Sequence, residues 1–135
     1  MEIRFAEPAA ADIILQYDPH IERVELNSLI LQRRVLLAAD AGAFCGWLRY
    51  SLFWDNTPFL NMLFVLPEHR GIGGGRQLME TWEGEMERQG YPMLLTSTAA
   101  EEYAQHFYHH LGYQTIGGFL LPGEPYEVIL AKNLK

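Results

Sequence analysis

Phe59 to Leu66 is a nearly unbroken apolar run in which Asn61 is the only polar member. A strand with one face in water alternates apolar and polar residues, so a run of this kind predicts a strand covered on both faces, near the centre of a sheet. Pro67 ends the run, and a short loop holds Gly71, Gly73, Gly74 and Gly75. An amphipathic helix follows. Leu78, Trp82 and Met86 recur every four residues, Glu80, Glu83 and Glu87 take other faces, and Gly90 is placed to end it.

The flanking segments alternate strands and helices. Ile3 to Phe5 reads as a first strand, Pro8 as the first residue of a helix through Tyr17, and Asp18-Pro19 as a break that opens a second helix. That second helix is expected from His20 to Arg33, with Ile21, Val24 and Leu31 at helical spacing. Val35–Ala39, Phe44–Trp54 and Phe59–Leu66 are strands joined by turn-forming residues at 40–42 and 55–58, which predicts an antiparallel meander. Beyond the amphipathic helix, Met93–Thr96 reads as a strand. Thr98-Ala99-Ala100-Glu101 has the spacing of a capping box opening a helix to Leu111, closed by Gly112. Tyr113–Leu121 and Tyr126–Ala131 form a last hairpin, and the edge at Tyr126–Ala131 is where two copies could pair as a homodimer. The expected fold class is α/β (α+β): a mixed, mostly antiparallel sheet of about seven strands with helices on both faces, in the order β-α-α-β-β-β-α-β-α-β-β.

Length and charge narrow the function. The 135 residues have no internal repeat or linker and match a single domain, 1–135, at roughly 100–200 residues per domain. Seventeen acidic residues against ten Lys and Arg give a net charge of −7. Nucleic-acid affinity comes mostly from Lys and Arg neutralising phosphates, so a nucleic-acid partner is not expected, nor a polybasic membrane contact. The acidity favours a cationic or amine-bearing partner. No apolar stretch approaches the ~20 residues of a membrane span, and the first residues carry no basic and apolar leader pattern, so a cytoplasmic domain is expected.

The segment Leu63 to Arg76 carries the chemistry. The first N–H groups of a helix lack intrahelical acceptors and lie at the positive end of its dipole. Glycines let an anion approach them closely, and Arg70 and Arg76 add positive charge, which suits a phosphate or pyrophosphate. A nucleoside-triphosphate loop needs Lys-Ser or Lys-Thr after its last glycine, where this chain has Arg76-Gln77. A dinucleotide fingerprint needs G-x-G-x-x-G and an acidic residue about 20 positions later, where this chain has Leu94, Leu95 and Thr96. A glycine-rich turn without a ligand is the remaining alternative.

Arg70-x-x-Gly73-x-Gly75, after an apolar strand and before a helix, resembles the acetyl-CoA signature Arg/Gln-x-x-Gly-x-Gly/Ala of the GCN5-related N-acetyltransferases (GNAT). Ala104-x-x-Phe107-Tyr108-x-x-x-Gly112-Tyr113 is similar to that family's Ala-x-x-x-Tyr-x-x-x-Gly-Phe pattern, with Tyr113 in place of Phe. The two lie in the right order, and the element order agrees along essentially the whole chain. The resemblance implies an acetyl-CoA-dependent N-acetyltransferase acting on a primary amine of a small molecule or peptide, by direct attack in a ternary complex. It implies that backbone groups at Leu63 and Val65 hold the pantetheine arm, and that Arg70, Gly71, Gly73, Gly74, Gly75 and Arg76 cradle the pyrophosphate. It assigns the general acid that protonates the leaving thiolate to Tyr108, with no metal. A non-catalytic acyl-CoA-binding module on the same fold is the alternative.

Elsewhere the pattern thins. Glu101 stands where many members carry Asn, and capping of Thr98 explains it more simply. Phe59 occupies the depth at which histone-type members carry a catalytic Glu, so no general base is carried over. Asp18, His20, Glu22 and Asp55 lie on segments that could border the acceptor or be solvated surface. His106, His109 and His110 share one predicted helix, close enough for two to bind one ion, but no third ligand is evident. Cys45 reads as a buried inert thiol, with an acyl-cysteine route as the other option. Among Phe44, Trp47, Tyr50, Phe53, Trp54 and Phe59, alternation favours core, while Phe53-Trp54-Asp55 at the turn could wall an acceptor pocket.

Overall fold

The computed structural model describes all residues, Met1–Lys135. Seven strands form one sheet in the order β1-β2-β3-β4-β5-β7-β6: β1 Glu2–Phe5, β2 Val35–Asp40, β3 Ala43–Phe53, β4 Thr57–Val65, β5 Met93–Ala99, β6 Gln114–Phe119 and β7 Glu127–Asn133. The helices are α1 Ala11–Tyr17, α2 Arg23–Leu31, α3 Gly74–Arg88 and α4 Ala104–His110, with short 3-10 turns at Pro8–Ala10 and Pro67–His69. The fold class and element order expected from the sequence are those observed. No helix is long and apolar enough to cross a membrane.

The chain groups into two compact units, Met1–Ser51 with Met62–Trp82, and Leu52–Asn61 with Glu83–Lys135. In the first, β2 pairs antiparallel with β1 and β3. Ile14 of α1 and Leu26 and Ile30 of α2 bury against Leu37 and Trp47 on one sheet face. The opposite face receives Trp82 of α3, whose ring lies 5.6 Å from that of Tyr50. Leu78 and Trp82 are fully buried, as their spacing requires. Each such side chain contributes roughly 1.5–3 kcal/mol on burial.

In the second unit, β5 pairs antiparallel with β7 along its whole length, from Met93↔Asn133 to Ala99↔Glu127. Glu83 accepts hydrogen bonds from the Tyr113 hydroxyl at 2.8 Å and from Lys132 Nζ at 2.9 Å, tying α3 to the residue just before β6 and to β7. Met86, also on α3, is fully buried. Gly90, with φ +91°, ends α3, and Tyr91 N–H caps it by donating to Met86 C=O at 3.1 Å.

Four local expectations are corrected. The second helix spans Arg23–Leu31 rather than His20–Arg33, because Asp18 does not cap it. Asp18 turns inward instead, accepting from Arg49 Nε at 2.8 Å, from Trp47 Nε1 at 3.3 Å and from the His20 amide at 3.1 Å. Its core face is Leu26 and Ile30, while Val24 and Leu31 are 71% and 76% exposed. Thr98 opens no helix. Pairing with Val128 keeps it in β5, its hydroxyl donates to Glu102 rather than Glu101 at 3.3 Å, and α4 starts only at Ala104. Finally, β7 is interior and β6 is the edge strand, so the unpaired edge lies at Gln114–Phe119 and not at Tyr126–Ala131.

Candidate active site

The central strand hands its backbone to the glycine loop in a defined order. Leu66 N–H donates to Cys45 C=O at 2.8 Å, so Leu66 faces β3. Backbone polar groups alternate sides along a strand, which turns those of Leu63 and Val65 away from β3. The parallel ladder with β5 consists of Phe59↔Leu95 and Leu60↔Thr96 and does not extend to them. Val65 C=O instead accepts from Arg70 Nε at 2.8 Å, and the guanidinium carbon of Arg70 lies 5.0 Å from the Phe64 ring centroid. Arg70 thereby folds the loop back on its own strand, with Nε committed to that task.

Gly71 and Gly73 have φ of +84° and +86°, the left-handed region that costs a residue with Cβ about 1–2 kcal/mol. A Cβ at either would meet nothing within 4 Å, so the backbone conformation and open space beside it explain these two glycines. Gly74 has a different reason: a Cβ there would lie 3.1 Å from the Met1 side chain. The first bond into α3 runs from Gln77 N–H to Gly73 C=O at 2.9 Å. The amides of Gly74, Gly75 and Arg76 therefore have no acceptor within the helix, at the positive end of a 15-residue dipole. Arg76 is shared with Glu80, 3.5 Å away and equally exposed. The donor set suits a polyanion: three free amides, two exposed guanidinium groups and a loop without side-chain obstruction at Gly71 and Gly73.

Tyr108 lies in the second unit, on α4, and is 7% exposed. Burial pushes its phenol up to about 12, Glu102 adds to the rise, and the Thr96 hydroxyl opposes it by offering a hydrogen bond to the ionised oxygen. Thr96 is also buried, and its Oγ1 donates to Leu60 C=O at 3.2 Å. One hydroxyl proton thus has two acceptors within reach, a carbonyl in the resting state and the phenolate if Tyr108 ionises. Sequence reasoning missed Thr96 because a lone Thr in an apolar strand is ordinary strand composition. Tyr113 is tied up elsewhere, since burial and the Glu83 carboxylate raise its pKa far above the normal value and hold it as a donor to Glu83.

The remaining candidates are placed as follows. His109 Nε2 pairs with Thr115 Oγ1 at 3.1 Å, and His110 Nδ1 lies 2.7 Å from His106 C=O, so both imidazoles serve local contacts. Cys45 is buried in β3, and burial raises its thiol pKa, which keeps it from ionising. Trp47 and Tyr50 are core, whereas Trp54 is 80% exposed at the β3–β4 turn, beside Asp55.

Residues 32–115, from just before β2 to the start of β6, match the family model described as the acetyltransferase (GNAT) domain. The chain belongs to the GNAT acetyltransferases. No curated protein is similar enough in sequence to count as a relative. Solved GNAT-like structures share the fold at low identity. A putative acetyltransferase, YncA, from Salmonella typhimurium with acetyl-CoA has a TM-score of 0.81 at 20% identity over 100% of this chain and 94% of its own. The ribosomal-protein-S18-alanine N-acetyltransferase from Escherichia coli gives 0.80 at 20% identity over 99% and 94%. The PaiA N-acetyltransferase from Thermoplasma acidophilum, in complex with coenzyme A, gives 0.76 at 14% identity over 98% of each chain. Within this GNAT domain, the family match contains both the glycine loop and Tyr108.

Proposed function

We propose that residues 1–135 act as one cytoplasmic, acetyl-CoA-dependent N-acetyltransferase domain that moves the acetyl group directly to a primary amine in a ternary complex. The observation that carries this reading is the loop: left-handed glycines at 71 and 73 that deliver the unpaired amides of Gly74, Gly75 and Arg76 at the start of α3. Those amides, with Arg70 and Arg76, hold the pyrophosphate. The Leu63 and Val65 amides, turned away from β3, hold the amide-bearing arm and polarise the carbonyl under attack, the role preorganised N–H groups fill at a developing oxyanion. Acetyl-CoA supplies the activated acyl carbon.

Tyr108 is the proton donor assigned to the departing sulfur. A phenol with a pKa near 12 carries its proton at every physiological pH. Against a free thiol near ~8.5, complete transfer is uphill. Tyr108 therefore works first as a hydrogen-bond donor to sulfur. It gives up its proton only as far as the Thr96 hydroxyl turns its hydrogen bond from Leu60 C=O to the phenol oxygen. Weak acidity of this kind also favours a second reading, an acyl-CoA-binding module in which Tyr108 is core. Release of free thiol from acetyl-CoA across a panel of amines separates the two. Amine-dependent release supports catalysis, and CoA binding without release from any amine supports the module.

A further inference from the structure

Alternation along the strands of the second unit puts Thr96 and Leu130 on one sheet face and Phe59, Leu95 and Ile129 on the other. The first face is buried. On the second, Phe59 and Ile129 are only half-buried, and Ile116 of the edge strand β6 is 61% exposed. Phe53 joins them from the end of β3, its ring 6.0 Å from Phe59 and 4.7 Å from Trp54. Together these side chains surround an open apolar pocket of about 180 Å³. An apolar cavity of about 150 Å³ with comparable walls stays dry and takes up benzene. Space of this size suits one aromatic ring or one branched alkyl group, and is too small for most drug-sized ligands, whose pockets start near ~300 Å³.

Trp54 stands at the mouth under two penalties. Its indole is exposed to water, and its φ of +55°, followed by +65° at Asp55, places two successive non-glycine residues in the left-handed region. Two-residue hairpin turns of that shape favour Asn-Gly or Asp-Gly, and each Cβ there costs about 1–2 kcal/mol. Phe59↔Leu95 is the rung beside Leu60↔Thr96, so the pocket opens on the sheet face opposite the Thr96 hydroxyl that can serve Tyr108, one rung along the strands.

We infer that this pocket receives the apolar part of the acceptor, so that the substrate is an amine bearing an aromatic ring or a branched alkyl group. The inference rests on the acetyl-transfer reading above and specifies its substrate class. A net charge of −7 disfavours aryl compounds carrying carboxylates, leaving arylalkyl and branched alkyl amines. Polyamines and aminoglycosides, which offer no such group, are excluded as preferred acceptors.

The test uses the full chain with 2-phenylethylamine and spermidine as probes, with CoA affinity measured calorimetrically in the same preparations. Trp54→Ala and Ile116→Ser alter exposed positions, so neither threatens the core. Phenylethylamine is expected to bind saturably, at least fivefold more weakly in each variant, with CoA affinity unchanged. Its kcat/KM as acceptor is expected to exceed that of spermidine at least tenfold, and the variants to lose it mainly through KM. Absence of saturable binding, equal binding by wild type and both variants, or preference for spermidine overturns the inference. Phenylethylamine binding in a protein that fails to bind CoA leaves the pocket occupied but overturns its acceptor role, because the acetyl-transfer reading itself has then failed.

Discussion

Thr96→Val removes one hydroxyl and keeps the branched outline of the side chain, so it probes the proposed hydrogen bond to the Tyr108 oxygen at a single atom. Two losses follow, and they differ in kind. Leu60 C=O loses the donor now 3.2 Å away in a buried setting, which costs about 1–3 kcal/mol of stability. The Tyr108 oxygen loses a hydrogen bond available to it only when negative, worth about 1.5–3 kcal/mol for a charged group. Expressed fully in the transition state, that range is about 10- to 150-fold in kcat, and partial charge on the phenol brings it toward tenfold. Thiol release measured with saturating amine is therefore expected to show kcat at least about fivefold lower, with KM for acetyl-CoA unchanged. Thr96→Ser, which restores the hydroxyl, is expected to recover most of the rate. Tyr108→Phe should lower turnover at least tenfold with little change in cofactor affinity, and Thr96→Val added to it should cost nothing further in kcat, because Thr96 acts only through the Tyr108 oxygen. If Thr96→Val leaves kcat intact while lowering stability, or if the two effects multiply, Thr96 is only a structural partner of Leu60 and its assigned part in the reaction is wrong.

Asp18→Ala should cost about 3–5 kcal/mol in urea unfolding, because it strands the buried Arg49 guanidinium, a large share of the 5–15 kcal/mol typical of a domain. Burial pushes the Asp18 carboxyl up, but Arg49, the His20 amide and Trp47 outweigh it and hold the pKa below the usual value of 3.8. Its stabilisation is thus complete above pH 3.8 and lost as pH falls through the folded-state value, and an acid-unfolding midpoint that does not move in Asp18→Asn would contradict this. Gly73→Glu should abolish CoA binding in calorimetry, whereas Gly73→Asn, which tolerates φ near +86°, should retain more affinity than Gly73→Ala. Gly46→Ala places a Cβ 2.6 Å from Phe64 C=O and should destabilise the domain by roughly 1–3 kcal/mol in the same unfolding assay.

What the sequence reveals and what it hides divides by how far a residue's fate depends on distant partners. Leu78, Trp82 and Met86 were legible because burial of a long helix follows from a period repeated over several turns. The same logic misreads α2, where nine residues give the period little room. Val24 and Leu31 are as apolar as Leu26 and Ile30, and only the packing against Ile14 and Leu37 decides which pair faces inward. Thr98-x-x-Glu101 is a valid capping signal locally, but seven rungs between β5 and β7 outweigh one cap worth about 1 kcal/mol.

The candidate site shows the same division with chemistry in place of packing. The glycine loop is a contiguous device: its left-handed residues, its free amides and its arginines fall within seven positions, so spacing alone suggests a polyanion. Asp18 and Thr96 act through partners 31 and 36 residues away, and no local pattern marks them. Asp18 sits beside a proline where caps are common, and its actual task is fixed by Arg49 on β3. Arg70 lies between the two cases. Its presence is part of the motif, yet its Nε is spent on Val65 C=O, which fixes the loop against the strand and leaves only the outer guanidinium nitrogens to join the helix amides at a phosphate. Arg70→Lys keeps the charge and loses the planar donor that bridges to Val65. A phosphate site dependent on charge alone would tolerate it, and one dependent on loop shape would not.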